Sequence, residues 1–160
     1  MSLHLTKNSL SEPTRMRLVP YLNSRLAEAL DLEGHAKQAH WNVRGIHFRP
    51  LHELFDAISA DAVGYADLIA ERVVQLGGTA HGTARIVAES SDLKAYPQDI
   101  YSGREHLEAI LVSLAHFANN VRDGIAHATE LKDAATADIL TEVVRGLDKW
   151  VWMVEAHLAD

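Results

Sequence analysis

One 26-residue stretch, Leu51 to Leu76, constrains the chain more than any other, because it carries two separate stripes at helical spacing. Leu51, Leu54, Phe55, Ile58, Ala62, Tyr65, Ile69, Val73 and Leu76 recur as one apolar face of an α-helix. His52, Asp56, Asp67 and Glu71 recur as a second face, two pairs each spaced i,i+4. A helix with two committed faces packs its own core with one and turns the other toward something else. An imidazole and carboxylates on one stripe form a donor set suited to iron, manganese or zinc; on spacing alone, solvated charges on an exposed face remain the alternative.

The spacing also limits how such donors can meet. The midpoints of the two pairs lie 15 residues apart, about 22 Å along a helix that rises about 1.5 Å per residue. A metal–ligand bond is about 2 Å, so the two pairs of one chain cannot share an ion. Two copies packed antiparallel about a two-fold axis near Asp61 and Ala62 would bring His52 and Asp56 of one chain to Asp67 and Glu71 of the other, twice per dimer. Small residues between the pairs, Ala57, Ser59, Ala60, Ala62, Gly64 and Ala66, would permit a close approach.

The rest of the chain reads as further helices. A first pattern runs from about Thr14 to Trp41, with Leu18, Leu22, Leu26, Ala29, Leu30 and Ala36 in register. Pro20 either opens that helix or bends it, and Gly34 weakens its interior. A short connection around Gly45 leads to the second helix, about Pro50 to Leu76, which Gly77 and Gly78 end. Residues 79–101 form a long connection in which Asp92 to Tyr96 is the candidate short helix; its length suits a crossover along a bundle. Ser102 and Glu105 form a capping box for a third helix with the stripe Leu107, Ile110, Leu111, Leu114, Phe117, Val121 and Ile125, ending near Thr129. Asp133 or Thr136 caps a fourth, with the stripe Leu140, Val143, Val144, Leu147, Val151, Val154 and Leu158. Two helices, a long crossover and two helices describe an all-α four-helix bundle of ferritin-like connectivity, the crossover carrying a short helix. Residues 1–13 read as a flexible tail and 14–160 as one domain.

Composition narrows the function classes. There is no cysteine, hence no disulfide and no thiolate ligand. No apolar run is long enough to span a membrane, and no signal-like segment opens the chain, so a cytoplasmic location is expected. The net charge of −7 argues against a body that grips nucleic acid electrostatically. Residues 1–25 carry +3 and the remainder −10, but the basic end has a single lysine, Lys7. The chain has no Glu-x-x-His, which argues against a di-iron centre inside one bundle.

Several motifs, in order and spacing, resemble the Dps family, the DNA-protection-during-starvation mini-ferritins: KQAHWNVRG at 37–45, LHELFD at 51–56, DLIAERVVQLGG at 67–78, LKAYPQDI at 93–100, ATADIL at 135–140 and LDKWVWMVEAHL at 147–158. The resemblance runs from about Leu18 to the C-terminus. It implies a dodecameric shell built from two-fold dimers, with iron held at ferroxidase centres shared between two subunits. It implies His40, His52 and Asp56 as ligands from one subunit and Asp67 and Glu71 from its partner, with Trp41 as the tryptophan that quenches radicals. The implied activity is oxidation of Fe²⁺, preferably by hydrogen peroxide, and storage of ferric mineral, protecting DNA and the cell from oxidative stress. Asp138, and less so Asp133 and Glu142, are candidates for a three-fold pore; acids capping a helix N-terminus are the alternative. DNA is a further partner that the resemblance allows, with a nucoid-associated location. The alternative function is a DNA-binding, nucoid-compacting structural protein whose metal site serves the dimer.

Overall fold

The computed structural model describes residues 3–159. Five helices follow one another: α1 (Glu12–Asn42), α2 (Phe48–Gln75), α3 (Ala84–Ser90), α4 (Gly103–Glu130) and α5 (Ala134–Leu158). α1 and α2 pack as one hairpin and α4 and α5 as another, and α1 against α4 and α2 against α5 close the bundle. No strand forms among the described residues; a single bridge joins Arg44, in the α1–α2 turn, to Ser102 at the start of α4. This is the all-α ferritin-like bundle expected from the helical periods. No helix is long and apolar enough to cross a membrane.

The ends of the helices follow local chemistry. Ser11 caps α1 by accepting from the Thr14 N–H, and Pro13 occupies the first turn, so the helix starts two residues before the expected Thr14. It then runs through the exposed Pro20. Gly77, at φ +83°, ends α2: its N–H reaches Val74 O, and the Gly78 N–H reaches Val73 O, a Schellman pair. A Cβ on Gly77 would lie 2.7 Å from His4 O, because His4 N–H donates to Gly77 O there. The Ser102–Glu105 capping box opens α4 as the sequence indicates. The short crossover helix is not at Asp92–Tyr96 but earlier, at Ala84–Ser90, where the buried Val87 fastens it; Ser91, whose N–H closes α3 on Val87 O, turns its hydroxyl to Asp31.

The core holds all nine residues of the apolar α2 stripe, with Phe55 and Phe117 fully enclosed. Between α2 and α5 it also encloses an ion pair. Arg72 Nη2 donates to both Asp133 oxygens at 2.8 and 2.9 Å, and Asp133 caps α5 through the Thr136 N–H at 3.1 Å. Burial alone would raise the Asp133 carboxyl, but Thr136 and Arg72 outweigh it and hold it below the usual aspartate value. Asp133 is thus spent on the fold, which removes it from the pore candidates; Asp138 and Glu142 stay exposed on α5.

Asp133→Ala leaves Arg72 buried and unpaired, and is expected to cost about 3–5 kcal/mol in urea denaturation. Because the folded carboxyl is depressed, its contribution is present above the unfolded value of about 4 and fades as pH falls through the folded value. Asp133→Asn should therefore be less stable than the parent at neutral pH and lose less on acidification; parallel pH profiles would contradict this role.

Candidate metal centre

The end of α1 and the start of α2 are joined by two reciprocal hydrogen bonds. His40 Nδ1 lies 2.8 Å from His52 O, and His52 Nδ1 lies 2.8 Å from His40 O. A carbonyl only accepts, so both Nδ1 atoms carry the proton and donate it. In the neutral rings this leaves both Nε2 lone pairs free, the tautomer a metal ligand needs. The rings stack 3.6 Å apart with 20° between planes, so the two imidazoles act as one unit. His40 O belongs to the last turn of α1, where helical carbonyls lack intrahelical partners, so His52 also serves as its cap.

Asp56 follows His52 by one turn of α2. Its side chain is exposed and paired with Lys37 of α1, and its Oδ1 lies 4.0 Å from His40 Nδ1. The hydrogen bond from Lys37 outweighs the opposing effect of desolvation and holds the carboxyl below its ordinary value, and the Lys37 charge adds to this. Lys37 was not singled out from sequence; a lysine one turn before His40 is its only signal.

Asp67 and Glu71 lie about three and about four helical turns beyond Asp56 on the same helix, both exposed. The five expected ligands therefore do not converge within one chain. The face between the pairs is narrower than the sequence suggested. Ala57, Ala60 and Gly64 are exposed, but Ser59, Ala62 and Ala66 turn into the chain's own core. Nothing of the chain lies within 4 Å of where a Gly64 Cβ would be. Val63 and Val74 stand exposed on this helix, and Trp41, next to His40, is 68% exposed.

Among the described residues, one group of metal-type donors does converge in a single chain, and sequence reasoning missed it: Glu28 of α1, Asp92 of the crossover and His116 of α4. Its one sequence signal is Arg25 and Glu28 falling on the buried face of α1. Arg25 grips Glu28 with two bonds of 2.6 and 2.7 Å.

With this geometry in hand, the chain can be set beside known proteins. Residues 20–160 match the ferritin-like domain model. The DNA protection during starvation protein of Agrobacterium fabrum (strain C58) is 43% identical over 160 residues, covering 100% of this chain and 99% of that protein. This chain belongs to the Dps family. Among Dps structures, DpsC from Streptomyces coelicolor superposes with a TM-score of 0.95 at 31% identity, covering 99% of this chain and 93% of that one. A Dps protein from Vibrio cholerae O1, described as a member of a broad superfamily of ferritin-like diiron-carboxylate proteins, gives a TM-score of 0.90 at 25% identity, covering 99% of this chain and 100% of that one.

Neutron diffraction from the metal-free protein at neutral pH should place hydrogen on Nδ1 of both His40 and His52 and none on Nε2. Hydrogen on both Nε2 atoms instead would mean that the free donors assigned here are blocked.

Proposed function

We propose that this Dps protein is an iron-sequestering ferroxidase: it oxidises Fe²⁺, preferably with hydrogen peroxide, and stores the ferric product in a shell of its own subunits. The observation that carries the reading is the locked His40–His52 pair, in which both Nδ1 atoms face backbone carbonyls and His52 stands one helical turn from Asp56. The exposed Asp67 and Glu71, and the small residues Ala57, Ala60 and Gly64 between the pairs, support a centre completed by a partner chain across a two-fold axis. In that centre His40, His52 and Asp56 of one chain face the Asp67 and Glu71 positions of the other. Imidazoles and carboxylates hold Fe²⁺ and leave positions open for oxidant and water.

The electron count closes on two irons. Each Fe²⁺ gives up one electron, and one hydrogen peroxide takes both, with two protons, to become two waters. No hydroxyl radical is released, because the second electron is at hand when the O–O bond breaks. Each Fe³⁺ then takes up two waters and sheds three protons as it deposits as ferric oxyhydroxide. Trp41, exposed beside His40, is positioned to give an electron to any radical that escapes. The shell is a dodecamer of two-fold dimers, and Asp138 and Glu142 are its pore acids. Mineral storage of this kind would protect DNA and the cell from peroxide, and the location is cytoplasmic.

DNA binding is the weaker reading. The basic end is largely engaged: Arg15 donates to Leu10 O and Leu76 O, and Arg25 is buried on Glu28. Lys7 and Arg17 remain exposed.

Mixing the metal-free protein with Fe²⁺ and hydrogen peroxide should produce ferric absorbance faster than a protein-free control, and faster than with dioxygen. A rate equal to the control would overturn the ferroxidase reading.

The shared centre has its own test. One inactive variant carries His52→Ala with Asp56→Ala, and the other Asp67→Ala with Glu71→Ala. A mixed dimer keeps one site with all four ligands and loses all four from the other. Random reassembly of equal amounts should restore about a quarter of the parent activity, with separated sites acting independently. A centre built within one chain gives no recovery, even where mass spectrometry finds mixed dimers.

A further inference from the structure

A second group of donors sits beside the crossover. Glu28 lies 12 residues before His40 on α1, about 18 Å along the helix, so it is well removed from the centre described above. Glu28, Asp92 and His116 each present one donor atom, all within 4.8 Å of one another. His116 Nε2 and Asp92 Oδ1 are 3.2 Å apart. Two ligands on one ion with bonds of about 2.1 Å stand roughly 3.0–3.4 Å from each other in octahedral or tetrahedral geometry, so this edge already has the right length. We propose that Glu28, Asp92 and His116 form a second divalent-cation site that pins the crossover to α1 and α4.

The surroundings of Glu28 support this. It is fully buried, and its carboxylate is oriented by Arg25 from one side and by Asn120 Nδ2 at 2.6 Å from another. Ligating carboxylates are held in this way by outer hydrogen bonds. Asn120 Nδ2 also lies 3.4 Å from Asp92 Oδ1, so one amide spans both acids. Rotation of the Asn120 amide would offer Oδ1 as a fourth ligand to a bound ion. Asp92 and His116 are open to solvent, so an aquated ion can enter without unfolding and keep water on its remaining positions. One imidazole, two carboxylates and no thiolate suit Zn²⁺, Mn²⁺ or Fe²⁺.

The three ligands come from three elements, which defines the consequence. Asp92 lies just after α3, next to Ser91, whose hydroxyl donates to Asp31 of α1 at 2.6 Å. An ion at Asp92 would strengthen the contacts that His116 and Asn120 of α4 already make there and add a link to Glu28 of α1. Zn²⁺, being redox-inert, is the probe. Calorimetry on the full-length protein should find one Zn²⁺ fewer per chain in Asp92→Asn and in His116→Ala than in the parent. If residual binding survives in either, it should be at least about ten-fold weaker. Both side chains are exposed, so helicity and particle size should not change, and peroxide-driven iron oxidation should match the parent. Zinc-edge anomalous diffraction from the parent should show a peak between the three residues. Zn²⁺ should also slow proteolysis within residues 79–101 in the parent and not in either variant. Equal stoichiometry in parent and variants, or no anomalous peak, would overturn the site. Loss of iron oxidation in these variants would contradict the separation of the two sites, whereas an inactive parent would bear only on the ferroxidase reading.

Discussion

The reciprocal bonds between His40 and His52 are the interaction on which the candidate centre depends. Each ring caps the other residue's carbonyl, so the bonds that close the α1–α2 corner also set the tautomer of both imidazoles. A surface histidine is free to choose its protonated nitrogen; here the backbone decides. The corner is held from outside as well. Arg44 N–H donates to Tyr101 O at 2.9 Å, which ties it to the residue that precedes the α4 cap. The donors therefore sit on a junction of three elements, where rigidity is greater than a loop would provide.

The opposite demand falls on the rest of α2. Its core face is closed by Phe55, Ile58, Ile69 and Val73, each at most 1% exposed. Its other face keeps Ala57, Ala60, Gly64 and the charged Asp56, Asp67 and Glu71 in the open, with Val63 and Val74 among them. Tyr65 shows how tightly the inner face is fitted: its hydroxyl occupies the space where a Gly146 Cβ would stand, 2.1 Å away. Gly146 and Gly64 are thus glycines for different reasons. One makes room for a neighbour in the same chain, and the other would point its Cβ at open space among the described residues.

Most of the bundle was legible because helices announce themselves locally. The α2 stripe, the Ser102–Glu105 box and the Gly77–Gly78 stop are all encoded within a few residues. The family motifs carried the rest of the fold. What stayed hidden depends on tertiary contact. Asp92 looks like the start of a short helix, but the neighbouring Ser91 is held by Asp31, 60 residues away, and the helix forms before it. Ser59 and Ala66 belong by composition to the small outer stripe, but by angle to the core, where the apolar period had already put Ala62. The buried pairs Arg25–Glu28 and Arg72–Asp133 escape any reading in which charge means solvent. For the centre itself, the sequence indicates the α2 donors, while the competition for Asp56 by Lys37 emerges only in three dimensions.

That competition distinguishes the two donor sets. At both, a carboxylate is neutralised by a fixed cation in the absence of metal, as expected where acids are gathered in a chain of net charge −7. The cations differ in kind. Lys37 is a partly exposed ammonium on a flexible stem, facing an exposed carboxylate, so water and a metal ion can displace it at small cost. Arg25 is a buried planar fork with two short bonds to a buried carboxyl group, and displacing it would leave both groups without that partner in the core. An arriving ion can therefore take the place of Lys37 on Asp56, whereas at Glu28 it must bind beside Arg25. The first arrangement suits a centre that fills and empties as iron is processed. The second suits a cation that stays and holds the crossover in place.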